Sequence, residues 1–532
     1  MGEKKVYLVI HGHFYQPPRE NPWLGIIEKQ DSAYPFHDWN EKIYYECYRP
    51  NTISRILDEK LFIEDLVNNF EYYSFNFGPT LINWIKEKHP HCYKRIIEAD
   101  RVSQAKNNGH GNALAQVYNH VIMPLAEKED QLIQIKWGIE DFRFHFHREP
   151  EGMWLAETAI NYEVVDSLIE CGIRFTILSP YQALKVRKIG TEKWETVSGG
   201  RIDTTKSYRI FSKKHRGKYL DVFFYDPDLS KEMAFNGLLK SAENLKRAFV
   251  GKIDRKKENQ LINVAVDGET FGHHKPFADM CLAYFFKKES DIFTITNYAN
   301  YLEMFPPEYE VELYLGEDGK GSSWSCAHGV GRWERNCGCK VNMNYPGDQK
   351  WRKNLRKCMN ELRNKIDEIF KEKIMKYTPY KPLDVLEYYI QVKLYEDRDS
   401  FIETYFHQHI TNEDKTKIFS LLEARYFAHL MFTSCGWFFD DIGGLEPIQN
   451  LKYAIRAIEL VNPFTDENLL DIVVKNLYDT HSLILNISGI DIIRKILLPS
   501  RLSYVSIVSS FILNYHFLEL NFCNFVCLNV LR

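Results

Sequence analysis

The sequence lacks a basic stripe and has little net charge of either sign. Its 68 lysine and arginine residues are outnumbered slightly by 72 aspartate and glutamate residues, which gives a formal net charge of −4. Surfaces that bind nucleic acid are normally rich in clustered positive charge, so this composition argues against a nucleic-acid partner. With 532 residues, 45% of them apolar, the chain can form large cores, and its length predicts two or three domains.

The sequence also lacks the marks of a secreted protein. Its eleven cysteines are scattered and odd in number, which is typical of thiols in a reducing compartment and not of a disulfide framework. The apolar run in the N-terminal stretch MGEKKVYLVIHGHF is too short for a signal peptide, and no small-residue cleavage site follows it. We therefore expect a cytoplasmic protein.

Charged residues become rare toward the C-terminus. Residues 502–518 contain no Asp, Glu, Lys or Arg, but this run is short for a membrane span and has no flanking anchors. We interpret residues 481–532 as an atypical tail, truncated or aberrant, that packs poorly and does not cross a membrane.

Short apolar runs alternate with amphipathic stretches that we interpret as helices, such as 52–70 and 159–172, over about the first 270 residues. This alternation, with nearly continuous apolar strands, indicates a parallel α/β sheet. Seven strands in this length favour a closed or nearly closed β/α barrel, with an open doubly wound sheet as the alternative. The predicted strands are 6–12, 72–78, 113–123, 152–157, 173–179, 220–226 and 261–267.

The periodicity changes to that of helices after about residue 345. In the stretch 351–375, Leu355, Met359, Leu362, Ile366, Ile369 and Ile374 recur near one helical face. Similar stretches continue to residue 475. We therefore predict a barrel domain over 1–310, a loop region at the barrel's site over 311–350, a helical domain over 351–480 and the tail over 481–532.

Acidic and histidine side chains stand near the ends of the predicted strands, and β/α barrels carry their reactive groups at the carboxyl ends. In GMWLAETAI (152–160), Glu157 interrupts a buried run, where an ionised group is costly unless it is paired; the alternative is a solvated glutamate just past the strand. Glu157 and Asp267 can converge over one pocket, as cleavage of a glycosidic bond requires. The candidates at strand ends are His11, His13, His110, Glu157, Asp226, Asp228, Asp267 and Glu269.

Two of these candidates, His11 and His13, are two residues apart on one strand and therefore face the same way. They can bind sugar hydroxyls, bind a metal or cap the barrel rim, and we favour sugar hydroxyls. The aromatic content of 14% fits sugar-stacking surfaces, although large cores produce it too.

Five motifs occur in the order of the conserved regions of glycoside hydrolase family 57, so the chain resembles a member of that family. They are HGHFYQPPRENPW (11–23), GHGNALAQ (109–116), GMWLAETA (152–159), VAVDGETFGHH (264–274) and FTITNYANYLE (293–303). The resemblance implies an incomplete seven-stranded (β/α)7 barrel followed by helices. It also implies an α-amylase, 4-α-glucanotransferase, branching enzyme or α-galactosidase activity, with an oligo- or polysaccharide as the substrate, an α-glucan first among them.

The resemblance implies a retaining double displacement in which Glu157 is the nucleophile and Asp267 the general acid/base. It implies no cofactor and no metal. The family's first region usually reads His-x-His-Gln-Pro, whereas Phe14 and Tyr15 separate His13 from Gln16 here, which leaves open the ring that reaches the sugar. The expected substrate-binding residues are His11, His13, His110, Trp154, Asp228, Glu269, His273, Trp324, Trp437 and Asp440.

Two stretches, SSWSCAHGVGRWERNCGC (322–339) and TSCGWFFDDIGGLEP (433–447), resemble a subgroup with its own helical extension. In the first, Cys326, His328, Cys337 and Cys339 have the residue types of a zinc site, but their spacing matches no established zinc module. We favour a structured substrate loop that presents Trp324 and Trp333. We interpret the glycine-flanked second stretch as a loop that reaches the cleft, the alternative being that it only stitches a helix end.

Two other classes of protein remain open. A metal-dependent deacetylase or mannosidase on a related barrel would use histidines and an aspartate as zinc ligands, but no His-x-x-x-His pair with an aspartate at a neighbouring strand end is evident. A non-catalytic carbohydrate-binding protein would not need both carboxylates, and both Glu157 and Asp267 are present.

Overall fold

The computed structural model describes residues 5–502 together with residues 508, 509 and 512. The described residues form two compact units, one drawn from positions 1–16 and 32–330 and the other from positions 17–31 and 331–532. The first unit contains the predicted barrel strands and the second contains the predicted helices. Residues 17–31, which we had placed in the barrel domain, belong to the second unit: the Trp23 indole N–H donates to Glu459, 2.6 Å away.

The first unit is an incomplete β/α barrel, as predicted. Its strands are β1 (Val6–Phe14), β2 (Ser74–Phe77), β3 (Ala113–Gln116), β4 (Met153–Trp154), β5 (Phe175–Leu178), β6 (Tyr219–Phe224) and β7 (Gln260–Asp267). Strands β7, β1, β2, β3 and β4 pair in parallel in that order, and β5 pairs in parallel with β6. A parallel bridge between Gly152 and Phe175 joins the two groups. The Asp226 N–H donates to the Asn263 carbonyl at 2.8 Å, which links the end of β6 to β7.

The barrel strands are apolar on both faces because helices and barrel interior cover them. Eight of the nine residues of β1 are buried, as are seven of the eight residues of β7. Gly138, in the helix Lys128–Phe146, allows that helix to lie close against β3, since a Cβ there would stand 2.1 Å from the Gln116 carbonyl oxygen.

Further strands and helices complete the first unit. The predicted amphipathic stretch 52–70 is not a helix: Ser54–Leu57 and Ile63–Val67 form a hairpin, whose turn is closed by Asp58 accepting from two backbone N–H groups at 2.8 Å. The other strands are Ala183–Lys188, Glu195–Thr196, Ser207–Phe211, Thr294–Ile295 and Tyr309–Leu313. The helices are Trp39–Ile43, Arg49–Thr52, Pro79–Lys88, Pro90–Lys106, Lys128–Phe146, Tyr162–Glu170, Pro227–Phe235, Ala242–Val250, Ala278–Tyr284 and Tyr298–Met304.

The second unit is helical. The predicted apolar face of 351–375 is confirmed, because all six of its apolar residues are buried along the helix Trp351–Ile374. The helices are Trp351–Ile374, Pro382–Tyr395, Arg398–Tyr405, Asn412–Leu430, Cys435–Phe438, Leu445–Val461, Leu470–Leu477 and Gly489–Ile492.

The predicted tail contains folded structure at its start. His481–Ser482 pairs with Ile487–Ser488, and Ile492 and Leu497 in the turns that follow are fully buried. Apart from residues 508, 509 and 512, the predicted tail after residue 502 lies outside the described residues. Within the described ranges, no helix combines the length and the apolar character that a bilayer crossing requires.

Candidate active site

Glu157 follows β4 on a turn with an unusual backbone. Its φ and ψ are 56° and 23°, and the next residue, Thr158, has a φ of 50°. Non-glycine residues seldom adopt this left-handed region, and two in succession persist only where surrounding contacts hold them. Such strain is concentrated at functional sites, so the turn marks Glu157 as a candidate on structural grounds alone.

A buried glutamine holds this turn. The Thr158 hydroxyl donates to Gln182 Oε1 at 2.8 Å, and Gln182 Nε2 donates to the Thr158 carbonyl at 2.8 Å and to the Ser322 carbonyl at 3.1 Å. Ile160 and Ser322 also exchange two backbone hydrogen bonds, at 3.0 and 3.1 Å. The loop that begins at Ser322 is therefore attached to the Glu157 turn.

That loop supplies two donors to the Glu157 carboxyl group. The indole N–H of Trp324 lies 2.9 Å from Oε2, and the Ser325 hydroxyl donates to the same oxygen at 2.5 Å. The Trp324 backbone N–H also donates to the Glu157 carbonyl at 3.0 Å. Hydrogen bonds to an ionised acceptor are shorter and stronger than neutral ones, so the pair fixes the orientation of the carboxyl group. These donors explain how a carboxylate is accommodated at the end of an apolar strand.

Asp267 is the last residue of β7, paired in register with His13 on β1. Its side chain is accessible at the strand end. The surrounding protein nevertheless keeps much of the water away from the carboxyl group, and this desolvation, with the negative charge of Glu157, raises the pKa of Asp267 to about 7. A nearby like charge disfavours the ionised form, so Glu157 adds to the effect of burial in favouring the protonated form of Asp267. Asp267 can therefore hold or release a proton near neutral pH.

Glu269, two residues further on, is in a different environment. It is 5% exposed, and its Oε1 accepts from the Tyr48 hydroxyl at 2.7 Å and from the Tyr15 N–H at 3.1 Å. Burial raises the pKa of Glu269 to about 8, although the bond from Tyr48 opposes this rise. These contacts favour a role for Glu269 in fixing two tyrosines, whereas Asp267 stays accessible.

The rings of His11 and His13 stack on Trp154, with centroids 4.9 Å away in both cases. The two histidines therefore face the same side of β1, as predicted. Trp154 is fully buried and meets Trp324 edge-on at 5.2 Å. This stack connects the interior of the barrel to the loop that holds Glu157.

The ring nitrogens of these histidines have protein partners. His11 contacts Ser74 and Asn76 at 3.1 Å each, and His13 contacts Asn76 at 2.9 Å and His120 at 3.2 Å. Burial lowers the pKa of both histidines to about 3, so both rings are neutral. This arrangement favours a structural role for His11, as a polar residue on the floor of the barrel. It does not favour the direct sugar contact that we expect for this residue.

His110 does not join this site. It precedes β3, and its ring pairs with Glu151 at 2.9 Å and with Glu303 at 2.6 Å. Glu151 likewise precedes β4, so the cluster lies at the amino ends of the strands, opposite the ends that carry Glu157 and Asp267. This position does not support the expected substrate contact of His110, which stays a prediction, because His110 precedes a strand whereas Glu157 and Asp267 lie at the ends where strands leave the sheet.

Asp228 and His273 have partners of their own in the first unit. The Asp228 side chain is 80% exposed and bonds Lys252 at 3.0 Å in the first turn of the helix Pro227–Phe235. His273 pairs with Glu46 at 2.5 Å. A substrate contact stays a prediction for both.

Trp437 and Asp440 are engaged inside the second unit. Trp437 is fully buried, its indole N–H donates to the Arg352 carbonyl at 3.1 Å, and the Arg356 guanidinium lies 4.2 Å from its ring centre. The Asp440 carboxylate accepts from the backbone N–H groups of Val341 and Asn342 at 2.9 and 2.7 Å. These contacts favour the alternative, in which the motif holds a helix end in place, and sugar binding by Trp437 and Asp440 stays a prediction.

Three residues of the site were not predicted. Ser325 was within reach of sequence reasoning, since it follows Trp324 in a stretch already singled out. Tyr225 meets Trp324 edge-on at 6.2 Å and comes directly after β6. Gln182 has no sequence signal, because a lone glutamine after a strand is ordinary until the fold shows what it holds.

Two family models match the chain. The model of glycosyl hydrolase family 57 matches residues 7–314, more than half of the chain, and a domain of unknown function (DUF3536) matches residues 348–524. The 4-alpha-glucanotransferase of Thermococcus litoralis is 24% identical over 292 residues, which are 54% of this chain and 39% of that protein. The alpha-amylase of Pyrococcus horikoshii is 24% identical over 321 residues, 58% and 44% of the two chains. The chain thus spans less than half the length of these curated relatives.

Solved structures resemble the fold. An exo-type maltose-forming amylase from Pyrococcus sp. ST04 aligns with a TM-score of 0.66 and 16% identity, covering 96% of this chain and 92% of that one. A GH57 branching enzyme from Thermococcus kodakaraensis aligns with a TM-score of 0.53 and 14% identity, covering 88% and 94%. At such identities the likeness concerns the fold alone.

Proposed function

The chain belongs to glycosyl hydrolase family 57, and from this premise we propose that it is a retaining glycoside hydrolase or transglycosidase acting on α-glucans. The observation that carries the proposal is the pairing of two unlike carboxyl groups at strand ends. Glu157 is held by two donors to one oxygen, and Asp267 is accessible with a pKa raised to about 7 by its surroundings and by Glu157. The names of the relatives, 4-alpha-glucanotransferase and alpha-amylase, support α-glucan as the substrate class.

The two carboxyl groups have complementary tasks in this reaction. Glu157 attacks the anomeric carbon while Asp267 donates its proton to the departing glycosidic oxygen, which leaves a covalent glycosyl-enzyme. Asp267 then takes a proton from the incoming hydroxyl group, which releases the sugar with its original configuration. Water completes hydrolysis, and a sugar hydroxyl completes transfer. A pKa near 7 suits a residue that must donate and accept in turn.

The barrel histidines disfavour the metal-dependent alternative. In a deacetylase or mannosidase, the histidine side chains would have to coordinate zinc together with an aspartate. His11 and His13 instead share the Asn76 amide and stack on Trp154. A non-catalytic carbohydrate-binding protein would not need the strained turn at Glu157 or the two hydrogen bonds that orient its carboxyl group.

Incubation with α-glucans and aryl α-glycosides, with products separated by chromatography, tests the proposal. We expect Glu157→Ala to abolish turnover of every substrate. Asp267→Ala should still form the glycosyl-enzyme on aryl substrates whose leaving group needs no proton, and azide should rescue the breakdown of that intermediate. Glu269→Gln is the matched control. Rescue in the Glu269 variant and not in the Asp267 variant would transfer the acid role to Glu269.

We also propose a cytoplasmic location for this activity. Besides Cys326, the buried cysteines of the described residues are Cys47, Cys92, Cys281 and Cys358, which form no disulfide bond, and this suits a reducing compartment. Fractionation of cells that express the tagged chain, with enzyme markers for each compartment, tests the location.

A further inference from the structure

A group of three cysteines and one histidine converges within one continuous stretch of the chain, residues 326–339. Each residue offers one ligand atom, and these atoms all lie within 4.8 Å of one another. Cys326 is buried and the other three are half-buried. The four residues are Cys326, His328, Cys337 and Cys339.

We propose that these four residues bind one structural zinc ion. Thiolates with one imidazole form a common tetrahedral zinc set, and ligands at the usual Zn–S distance of about 2.3 Å stand about 3.8 Å apart. The observed spread therefore needs only small side-chain movements to reach that geometry. Soft thiolate ligands select zinc over magnesium or calcium, which prefer oxygen. Four protein ligands close the coordination shell, so the ion would stabilise structure and not activate water.

The local backbone and charge suit such a site. Gly338, between the last two cysteines, has a φ of +85°, a conformation that glycine adopts without strain and that reverses the chain between the two thiols. The fully buried guanidinium of Arg352 donates from Nη1 to the Cys339 carbonyl at 3.0 Å. Zinc with three thiolates and one neutral imidazole has a net charge of −1, which the neighbouring positive charge of Arg352 would offset.

The alternative purpose of this stretch, a loop that presents Trp333 to substrate, loses support. Trp333 is fully buried, and its carbonyl accepts from the Arg356 guanidinium at 2.8 Å. Its ring is therefore part of a core. Trp324 keeps its place at Glu157.

The position of Cys326, the first of the four ligands, indicates what the ion would do for the active site. Cys326 directly follows Trp324 and Ser325, whose side chains donate to Glu157. The other end of this short loop is fixed by the backbone pairing of Ser322 with Ile160. A metal on Cys326 would anchor the loop at its second end and so position both donors. This consequence rests on the proposed function, whereas the binding of zinc does not.

The metal content of the full-length protein, purified with a thiol reductant, tests the proposal. We expect about one zinc per chain by plasma mass spectrometry, and none after Cys337→Ser or Cys339→Ser. Cys171→Ser, a half-buried cysteine outside the cluster, is the control and should keep the ion. Reconstitution with cobalt should give the absorption of a tetrahedral thiolate site.

A second variant keeps the proposal testable if the serine variants fail to fold. His328→Cys retains four ligands, so it should still bind one cobalt, with an absorption spectrum shifted from that of the unaltered protein. Metal-free protein that carries a disulfide within the cluster would overturn the proposal, and so would serine variants that bind cobalt as the original chain does. Metal content is read without an activity assay, so its outcome is independent of the outcome of the glycosidase assays. Loss of zinc with a lowered kcat and an unchanged KM would support the positioning role.

Discussion

Replacing Ser325 with alanine removes one of the two side-chain donors that orient the Glu157 carboxyl group. The Ser325 hydroxyl lies 2.5 Å from Oε2, and the Trp324 indole N–H remains 2.9 Å from the same oxygen. A hydrogen bond to a charged acceptor contributes about 1.5–3 kcal/mol. With one donor gone, the carboxyl group can turn away from the attacking geometry, so we expect kcat/KM to fall by about 10- to 150-fold.

The chain provides a matched control two residues earlier. Ser323 belongs to the same loop, but its hydroxyl donates to the Gly329 carbonyl at 2.7 Å. Ser323→Ala therefore removes a hydroxyl of the same loop without altering the bonds to Glu157. We expect this variant to retain nearly the original kcat/KM, with a small loss of thermal stability.

Initial rates on an aryl α-glycoside and on a maltooligosaccharide separate the two variants. The loss in Ser325→Ala should appear in kcat, because the donor acts on the proposed nucleophile, Glu157, and not on the bound sugar. Circular dichroism would establish that both variants are folded. Equal activity in Ser325→Ala and Ser323→Ala would refute the argument that the donor pair orients Glu157.

Three further predictions concern the same site. The pH profile of kcat/KM should decline as pH rises above about 7, because Asp267 must be protonated in the first step and its pKa is about 7; an alkaline limit above pH 9 would contradict this assignment. Glu157→Gln removes the negative charge beside Asp267 and should lower the pKa of Asp267, which infrared titration of the carboxyl band can measure. Gln182→Ala leaves the Thr158 hydroxyl and the Ser179 N–H without their shared acceptor and should destabilise the fold by about 1–3 kcal/mol per group, seen as a lower Tm; an unchanged Tm would show that the turn at Glu157 needs no such support.

The barrel could be predicted from the sequence because its strands are nearly continuous apolar runs with turn residues between them. All seven predicted strands are present, although the run 113–123 forms a strand only over Ala113–Gln116. The stretch 52–70 was misjudged because its apolar residues fit a helix and a hairpin equally well. The Asp58 side chain stabilises the hairpin turn through hydrogen bonds to the backbone, which the spacing of apolar residues does not reveal.

The site was predictable in part. Glu157 and Asp267 stand out as acidic ends of apolar strands, and Trp324 lies in a distinctive motif. The strained backbone at Glu157 and Thr158 could not be predicted. It depends on tertiary contacts between segments far apart in sequence, among them the hydrogen bond between Thr158 and Gln182. The sequence does not decide between the two roles of Trp437, because a glycine-flanked aromatic residue is as typical of a helix end as of a binding loop; its buried contacts favour the helix end.

Trapping the covalent intermediate tests the central claim most directly. A fluorinated glycosyl fluoride would be incubated with the protein, which would then be digested, and the labelled peptide identified by mass spectrometry. We predict a single glycosyl adduct on Glu157, with product released in the configuration of the substrate, as proton NMR would show. Product of inverted configuration without any adduct, or an adduct on another carboxylate, would contradict the double displacement through Glu157.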